Sequence, residues 1–519
     1  MEQYGLEELA ASAEAVLAGL GPLAAGLARL AVEAGRAVTL DAMEQLVTER
    51  GRELLRGVVQ LGLDAQADAE VRRAGVAGAD GVPRRRAEPG HARPVVTTLG
   101  EVTVRRIGYR SGIKGAVSLF PRDAVLNLPP GGYSWALQRL AVMFCLAVSF
   151  GQGHEFVLAA TGVPVGRRQL EEIVAAAAGD AERFYQDPGR PRDEPPLPAA
   201  GGEGGLPPLV ISEDAKGVAM RPEARRPDTA RKARKRPGQA FGHRLGTGQK
   251  AGSRRMAQTG AVFDVIPAPR VPEQVMGRAP GQPGPAGPRA VNRWYACDIT
   301  AGREAAIGKA FDEAERRDPG HARTWIVLAD GDNTQLDLTR DQAAARGVTV
   351  TVIIDFIHVL GYLWKAAWCF HRPRDPAIED WVSAQGLDIL HGRTAEVITR
   401  IADLAAARPP RPGGEHAKII ARTLSYLENK QPYMDYPRAL AEGWPIATGV
   451  IEGACRHLIQ DRMGITGARW GLAGAQAMLW LRAITASGDT TAYWDWHITQ
   501  EHQRNHLSRY QPGTFDLAA

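Results

Sequence analysis

Between Arg323 and His358 the chain reads RTWIVLADGDNTQLDLTRDQAAARGVTVTVIIDFIH, and no other stretch restricts its fold as strongly. The apolar run Trp325–Ala329 stops on Asp330, a polar interval of helical character follows, and a second run, Val348–Ile354, stops on Asp355. Both runs are rich in β-branched residues and bounded by turn formers, so they predict buried parallel strands joined by a helix. In open parallel sheets ligands gather beyond the carboxyl ends of the strands, where both aspartates fall. A functional site is expected there.

A chain of 519 residues is too long for a single core, and two or three domains are expected. The net charge of +5 and isoelectric point near 9.0 are mild, but the cations are clustered, which points to a polyanion such as nucleic acid. The start, Met-Glu-Gln-Tyr, has no basic region leading into an apolar one, so no secretory signal is expected. Leu140–Phe150, the longest apolar stretch, is short for a membrane span. These features predict a cytoplasmic protein, nucleoid-associated when bound to DNA. Cys145, Cys297, Cys369 and Cys455 stand alone, which supports neither a disulfide framework nor a cysteine zinc site.

Residues 1–93 divide into amphipathic helices, with Met43–Leu61 the clearest, and a charged connector, Glu70–His91. The helices serve either oligomerisation or a small closed domain. Residues 94–130 alternate with period two and predict a hairpin turning at Leu99-Gly100-Glu101, with a further strand near Ala116–Phe120. Residues 131–186 are helical again. Within them His154–Ala160, the turn Thr161–Pro164 and Val165–Ala178 have the outline of a helix-turn-helix, with Arg167 and Arg168 early in the second helix. That outline fits either a DNA-reading element or plain helical packing. Residues 187–208 are a Pro/Gly-rich linker.

The core, residues 209–359, begins with a strand, Leu209–Ser212, ending on Glu213 and Asp214. Arg221–Arg255 is rich in cations, including Arg231, Lys232, Arg234, Lys235, Arg236, Arg254 and Arg255, and is either a solvated loop or an arm that orders on DNA phosphates. Strands Met256–Ile266 and Trp294–Thr300, separated by the loop Gly277–Pro288, and a helix Gly302–Arg317 complete the approach to Trp325. Strand, strand, strand, helix, strand, helix, strand is the order of a ribonuclease-H-like core. Residues 360–445 form a helical insertion broken at Arg408–Gly414, residues 446–487 return to the core with a helix, Thr448–Met463, carrying Glu452, and residues 488–519 are a tail. The expected fold is therefore an α/β ribonuclease-H-like catalytic core with a helical insertion domain, preceded by helical and small β N-terminal regions.

In such a fold the first and fourth strands are neighbours and the late helix packs against them, bringing Asp214, Asp330 and Glu452 together. Three converging carboxylates repel unless a cation neutralises them, and hard oxygen ligands suit magnesium, with manganese the alternative. Two such ions about 3.5–4 Å apart serve phosphoryl transfer. Taken singly, each acid also suits a helix cap or helix dipole. Glu213 and Asp332 are alternatives to their neighbours. Arg456, Arg462 and Arg469 would contact phosphates, and Trp470 either stacks on an unpaired base or packs in the core.

Four blocks carry a resemblance: SEDAKGVAMRPE, FDEAERRDPGHARTWIVLADGDNTQ, DFIHVLGYLWKAAWCF, and GWPIATGVIEGACRHLIQDRMGITGARWGLAGAQAMLWLRA. Over nearly its whole length the sequence resembles bacterial insertion-sequence transposases of the ISKra group, in the DDE superfamily. The resemblance implies DNA cleavage and strand transfer at element ends, with Asp214, Asp330 and Glu452 as the metal-binding triad. It matches Asp355 and His358 to a C/D-x-x-H signature of Mutator-like and hAT-like relatives, where His358 either orients Asp355 or ties the insertion to the sheet. Joining two ends to one target implies a homo-oligomer on DNA. Two alternatives use the same features: a ribonuclease-H-like nuclease lacking strand transfer, and a transposase-derived DNA-binding protein without catalysis.

Overall fold

The computed structural model describes residue 18 and residues 21–33, 39–190, 206–234, 254–276, 286–372, 374–411 and 413–512. The chain divides into two units, Met1–Pro191 with Thr491–Ala519, and Arg192–Thr490.

In the first unit, residues 21–33 are helical and a long helix covers Leu40–Asp68. The segment Glu70–His91 is not a connector, contrary to expectation. It contains the short strands β1 (Val76–Ala77) and β2 (Pro83–Arg84) and the start of β3 (Arg86–Thr97). The buried Arg84 holds it, donating to the Asp80 carboxylate at 2.6 Å and to the Val117 carbonyl at 3.1 Å. Strand β3 pairs with β4 (Gly100–Arg110) through a turn at Thr98-Leu99, one residue earlier than expected. The further strand near Ala116–Phe120 amounts to one bridge, Tyr109 to Leu119. Three mutually packed helices follow, Trp135–Ala147, Phe150–Thr161 and Arg167–Ala177. Residues 488–519 are not simply a tail. They include the helix Thr490–Asn505, on which Tyr493, Trp494, Trp496 and His497 are buried. The Tyr493 hydroxyl donates to the Ala177 carbonyl at 2.5 Å, and the Trp496 indole to Asp187 at 2.8 Å.

The second unit is a mixed α/β structure around a five-stranded sheet. Its strands are β5 (Leu209–Ala219), β6 (Arg254–Ile266), β7 (Arg289–Asp298), β8 (Trp325–Ala329) and β9 (Val350–Ile354), in spatial order β7-β6-β5-β8-β9. The β5/β6 and β6/β7 pairs are antiparallel, whereas β5/β8 and β8/β9 are parallel. All five residues of β8 are buried, as its unbroken apolar run requires of a strand covered on both faces. Helix Arg303–Arg317 leads from β7 into β8, and Asn333–Arg346 joins β8 to its parallel neighbour β9.

Strand β5 runs well past Ser212. Its parallel pairing with β8 ends at Ser212–Leu328, but its antiparallel pairing with β6 continues to Ala219. Strand β9 starts at Val350 and not Val348, because the left-handed Gly347 and the Val348 N–H close the preceding helix. Between β9 and the late helix lie helices Phe356–Phe370, Ala377–Leu390, Thr394–Ala407, Glu415–Lys430 and Tyr436–Ala441, with the break between Ala407 and Glu415 as expected. The late helix is continuous but uneven: Gly449–Ala454 is α-helical, Cys455–Gln460 is a π-helical turn, and Asp461–Met463 resumes the α form. Among the described residues, no helix is long and apolar enough to cross a membrane. Residues 191–205 of the expected linker, 235–253 of the cationic stretch and 277–285 of the Pro/Gly loop lie outside the described residues.

Candidate active site

Register places three aspartates in one row. Ser212 pairs with Leu328, so Asp214 and Asp330 each lie two residues beyond the same rung. Ala329 pairs with Ile354, and the Asp355 N–H extends that ladder by donating to the Ala329 carbonyl at 2.8 Å. Paired residues of neighbouring strands share a face, and successive residues alternate between faces. Asp214 and Asp330 therefore face one way, and Glu213 the other.

Alternation turns Glu213 away from the row, and the next helix engages Asp332. Glu213 is buried against the opposite helices, where its Oε2 accepts from Gln335 Nε2 at 3.2 Å and lies 3.3 Å from Arg303 Nε. Asp332 caps the Asn333–Arg346 helix, accepting from the Gln335 N–H at 3.1 Å, and accepts from Arg303 Nη1 at 2.6 Å. Burial first, then the charges of Asp214 and Asp330, push the Glu213 carboxyl from its ordinary 4.5 to about 7, with Arg303 opposing. A raised carboxyl pKa favours the folded state below the ordinary value, and that contribution is lost as pH rises through the folded one. Glu213→Gln is accordingly expected to stabilise the protein at pH 8 by about 2–3 kcal/mol and hardly at all near pH 4.5. Urea denaturation at the two pH values tests this; equal effects at both would remove Glu213 as the cause.

The turn carrying Asp330 is fastened from several sides. Its Oδ1 accepts from the Asp332 N–H at 2.9 Å, its own N–H donates to Gln335 Oε1 at 3.3 Å, and its carbonyl accepts from the Tyr426 hydroxyl at 3.0 Å. Tyr426 lies on the last insertion helix and stacks on Tyr362 with ring centroids 3.9 Å apart. Gly331 adopts φ +93, and a Cβ there would sit 2.9 Å from the Tyr426 hydroxyl. Gly331→Ala is expected to cost about 1–3 kcal/mol from backbone strain and this clash, measurable by chemical denaturation; a loss below about 0.5 kcal/mol would show that the turn yields freely.

Asp355 joins β9 to the late helix. It is fully buried and accepts from the Ile357 N–H at 2.6 Å, the Thr448 N–H at 3.2 Å and the Thr448 hydroxyl, with His358 Nδ1 3.2 Å away. Burial raises its pKa, but the hydrogen bonds from His358, Thr448 and Ile357 outweigh burial and hold it below the usual carboxylate value. His358 is raised, first by its bond to Asp355, against burial, and then by the charges of Asp355, Asp330 and Glu452. Of the two roles expected for His358, this geometry matches orientation of Asp355. Thr448 Oγ1 also lies 3.2 Å from Glu452 Oε1.

Ligand atoms of Asp355, His358 and Glu452 lie within 4.8 Å of one another, a grouping able to hold a metal ion. Among the described residues, Asp214 and Asp330 belong to no grouping this tight, so the immediate partners of Glu452 differ from those expected. The charge of Asp214 reaches Cys455 on the late helix, whose thiol is raised chiefly by burial, and those of Asp330 and Glu452 both reach His358. Sequence reading missed Thr448 and Tyr426. A threonine four residues before Glu452 was a faint signal for the first; none marked a tyrosine deep in a helical insertion.

The expected DNA contacts separate by burial. Arg167, Arg168, Arg231, Arg254, Arg456 and Arg469 are exposed. Arg168 pairs with Glu172 at 3.0 Å, and Arg231 pairs with Asp228. Lys232 and Arg234 lie on the helix Pro227–Arg234, while Lys235 and Arg236 lie outside the described residues. Arg255 is half-buried and donates to the Ile299 carbonyl at 2.7 Å. Two expectations are corrected. Arg462 is 2% exposed and Trp470 7%, with the guanidinium 5.0 Å over the indole ring. Trp470 donates its indole N–H to the Met463 carbonyl at 3.0 Å and bonds through its backbone to Ala219 and Arg221, so it packs in the core and offers no open face to a base. In comparisons with known proteins, no family model matches the chain and no curated protein does.

Proposed function

We propose that the chain is a DDE transposase, which cleaves and joins DNA at the ends of its own insertion sequence. Residues 209–359 and 446–487 act as a ribonuclease-H-like core, and 360–445 as its insertion. The observation that carries this reading is the row Asp214, Asp330, Asp355 beside the helix bearing Glu452. The strand order, with the first and fourth strands adjacent and parallel, supports it.

The donor set fits magnesium. Oxygen ligands predominate, and their charges add to burial in raising Glu213 and to the Asp355 hydrogen bond in raising His358. Asp214, Asp330 and Glu452 would hold the ion, with manganese able to replace it. When bound, it would supply Lewis-acid stabilisation of the attacking and leaving oxygens in an in-line displacement. Asp355 and Thr448 fix the start of the late helix and so aim Glu452, while Tyr426 and Gly331 fix Asp330. The exposed Arg456 and Arg469 contact phosphates of the DNA. In the first reaction a water oxygen bonds to the scissile phosphorus and loses a proton to solvent, while the P–O3′ bond breaks and the 3′-oxygen takes up a proton from solvent to leave as a hydroxyl. In the second that hydroxyl loses its proton to solvent and bonds to a target phosphorus, while the target's own P–O3′ bond breaks and its 3′-oxygen takes up a proton from solvent. Two ends joined to one target require a homo-oligomer on DNA.

The test is strand cleavage and joining by purified protein with its own element ends and magnesium. Joined products support the proposal. Cleavage without joining makes the protein a nuclease, and binding without cleavage in either metal makes it a non-catalytic DNA-binding descendant.

A further inference from the structure

Along β5, beyond the acidic row, lies a cavity of about 610 Å³. Lys216 stands two residues past Asp214, on the same strand face and about 6.8 Å further along. The late helix spans both places: Glu452 and Cys455 lie at the acidic end, and Ile459, Gln460 and Met463 line the cavity at the other. Arg254, from the neighbouring strand, reaches across Gly217, where a Cβ would meet its Cδ at 3.1 Å. The far wall is the turn after the late helix, with Gly467 at φ +70, locked because Trp470 continues the backbone pairing of β5 at Ala219 and Arg221. The buried Arg462–Trp470 pair thus helps to build the wall.

The lining is divided in a useful way. Lys216 and Arg254 are exposed cations at the mouth, and neither is paired with a carboxylate among the described residues. Ile459, Met463 and Ile465 give an apolar floor, and the Gln460 amide and Asp461 carboxylate add hydrogen-bonding groups. The volume lies within the range of small-molecule sites, roughly 300–1,000 Å³. Cations for a phosphate, an apolar surface for a ring face, and a few polar groups for its edge are the requirements of a nucleotide.

We propose that this cavity receives one unpaired nucleotide of the substrate strand, flanking the position held at the acidic row. Its phosphate lies against Lys216 and Arg254, and its base on Ile459, Met463 and Ile465. The proposal rests on the nucleic-acid reading given above and adds a subsite and a substrate form: an end whose flanking nucleotide is unpaired.

The experiment compares two element-end duplexes, one with a single-nucleotide flap at the cleavage position and one with an abasic flap, bound to full-length protein without divalent metal. The wild type is expected to bind the first about tenfold more tightly, and the Lys216→Glu variant, altered only at an exposed position, to lose that ratio while still binding paired DNA. Equal affinity of the wild type for both duplexes, or an unchanged ratio in the variant, overturns the proposal. Cleavage of the element ends in a parallel reaction with magnesium, with no flap preference in binding, leaves the transposase reading standing without the subsite. Flap preference without cleavage leaves the subsite standing without the transposase. Binding to neither duplex overturns both.

Discussion

Asp330→Asn is expected to slow magnesium-dependent cleavage of element-end DNA by about 10³-fold while leaving the affinity for uncleaved DNA within about twofold. The substitution keeps the side chain's size and its acceptor for the Asp332 N–H, so the turn survives. It removes one negative charge from the row, and a metal ligand of this kind contributes several kcal/mol of transition-state stabilisation, with each 1.4 kcal/mol worth about tenfold. Single-turnover cleavage with labelled ends, together with a separate binding isotherm, measures both quantities. Retention of more than about a tenth of the wild-type rate would exclude Asp330 as a ligand. Asp355 offers a contrast within the same row. Its carboxylate is committed to Thr448, Ile357 and His358, so its replacement should lower stability as well as rate.

The second large effect lies in the first unit. Asp180 is 2% exposed and accepts from His497 Nδ1 at 2.8 Å and from Arg504 at 2.7 and 3.2 Å, linking the helix Thr490–Asn505 to the end of the helical bundle. Burial raises its pKa, but the bonds from His497 and Arg504 outweigh burial and hold it well below the usual carboxylate range. Together with His497 and Glu501 it forms a cluster of metal-ligand type, yet the Arg504 guanidinium already balances its charge. Asp180→Ala leaves buried His497 without its acceptor and Arg504 with Glu501 alone, and is expected to cost about 3–5 kcal/mol. A lowered carboxylate pKa stabilises above the unfolded value, near 3.8, and that contribution is lost as pH falls through the lower folded one. The deficit of the variant should therefore be full at neutral pH and shrink below about pH 4. Thermal melts across pH and limited proteolysis of the C-terminal helix report it. A melting temperature unchanged at neutral pH would show that the helix is held by Tyr493 and Trp496 instead.

Much of the second unit was legible in the sequence because its signals are local. The run Trp325–Ala329 is a strand at the very residues expected, since five consecutive apolar side chains flanked by polar turns have few other folded solutions. The order of strands and helices, Asp330 and Asp355 at strand ends and the break at 408–414 are legible for the same reason, whereas Asp214 lies within β5, which its antiparallel pairing with β6 carries on to Ala219. What failed locally also has a cause. The charged segment Glu70–His91 looked like a connector because its strands are very short or heavily charged, and only the Arg84 contacts make them part of a fold.

Periodicity and chain order thus determined most of the strands and helices of the second unit, and that Asp330 and Asp355 stand where strands end. Only the tertiary structure decided which neighbour each acid faces. The register of β5 against β8 turns Asp214 towards the late helix and Glu213 away from it, a one-residue distinction invisible when the strand is read alone. Packing made Trp470 and Arg462 a wall, gave Thr448 to Asp355, and brought Tyr426 from the insertion onto the Asp330 turn. Each of these depends on partners distant in sequence, and local propensity carries no information about a partner that folding alone brings near.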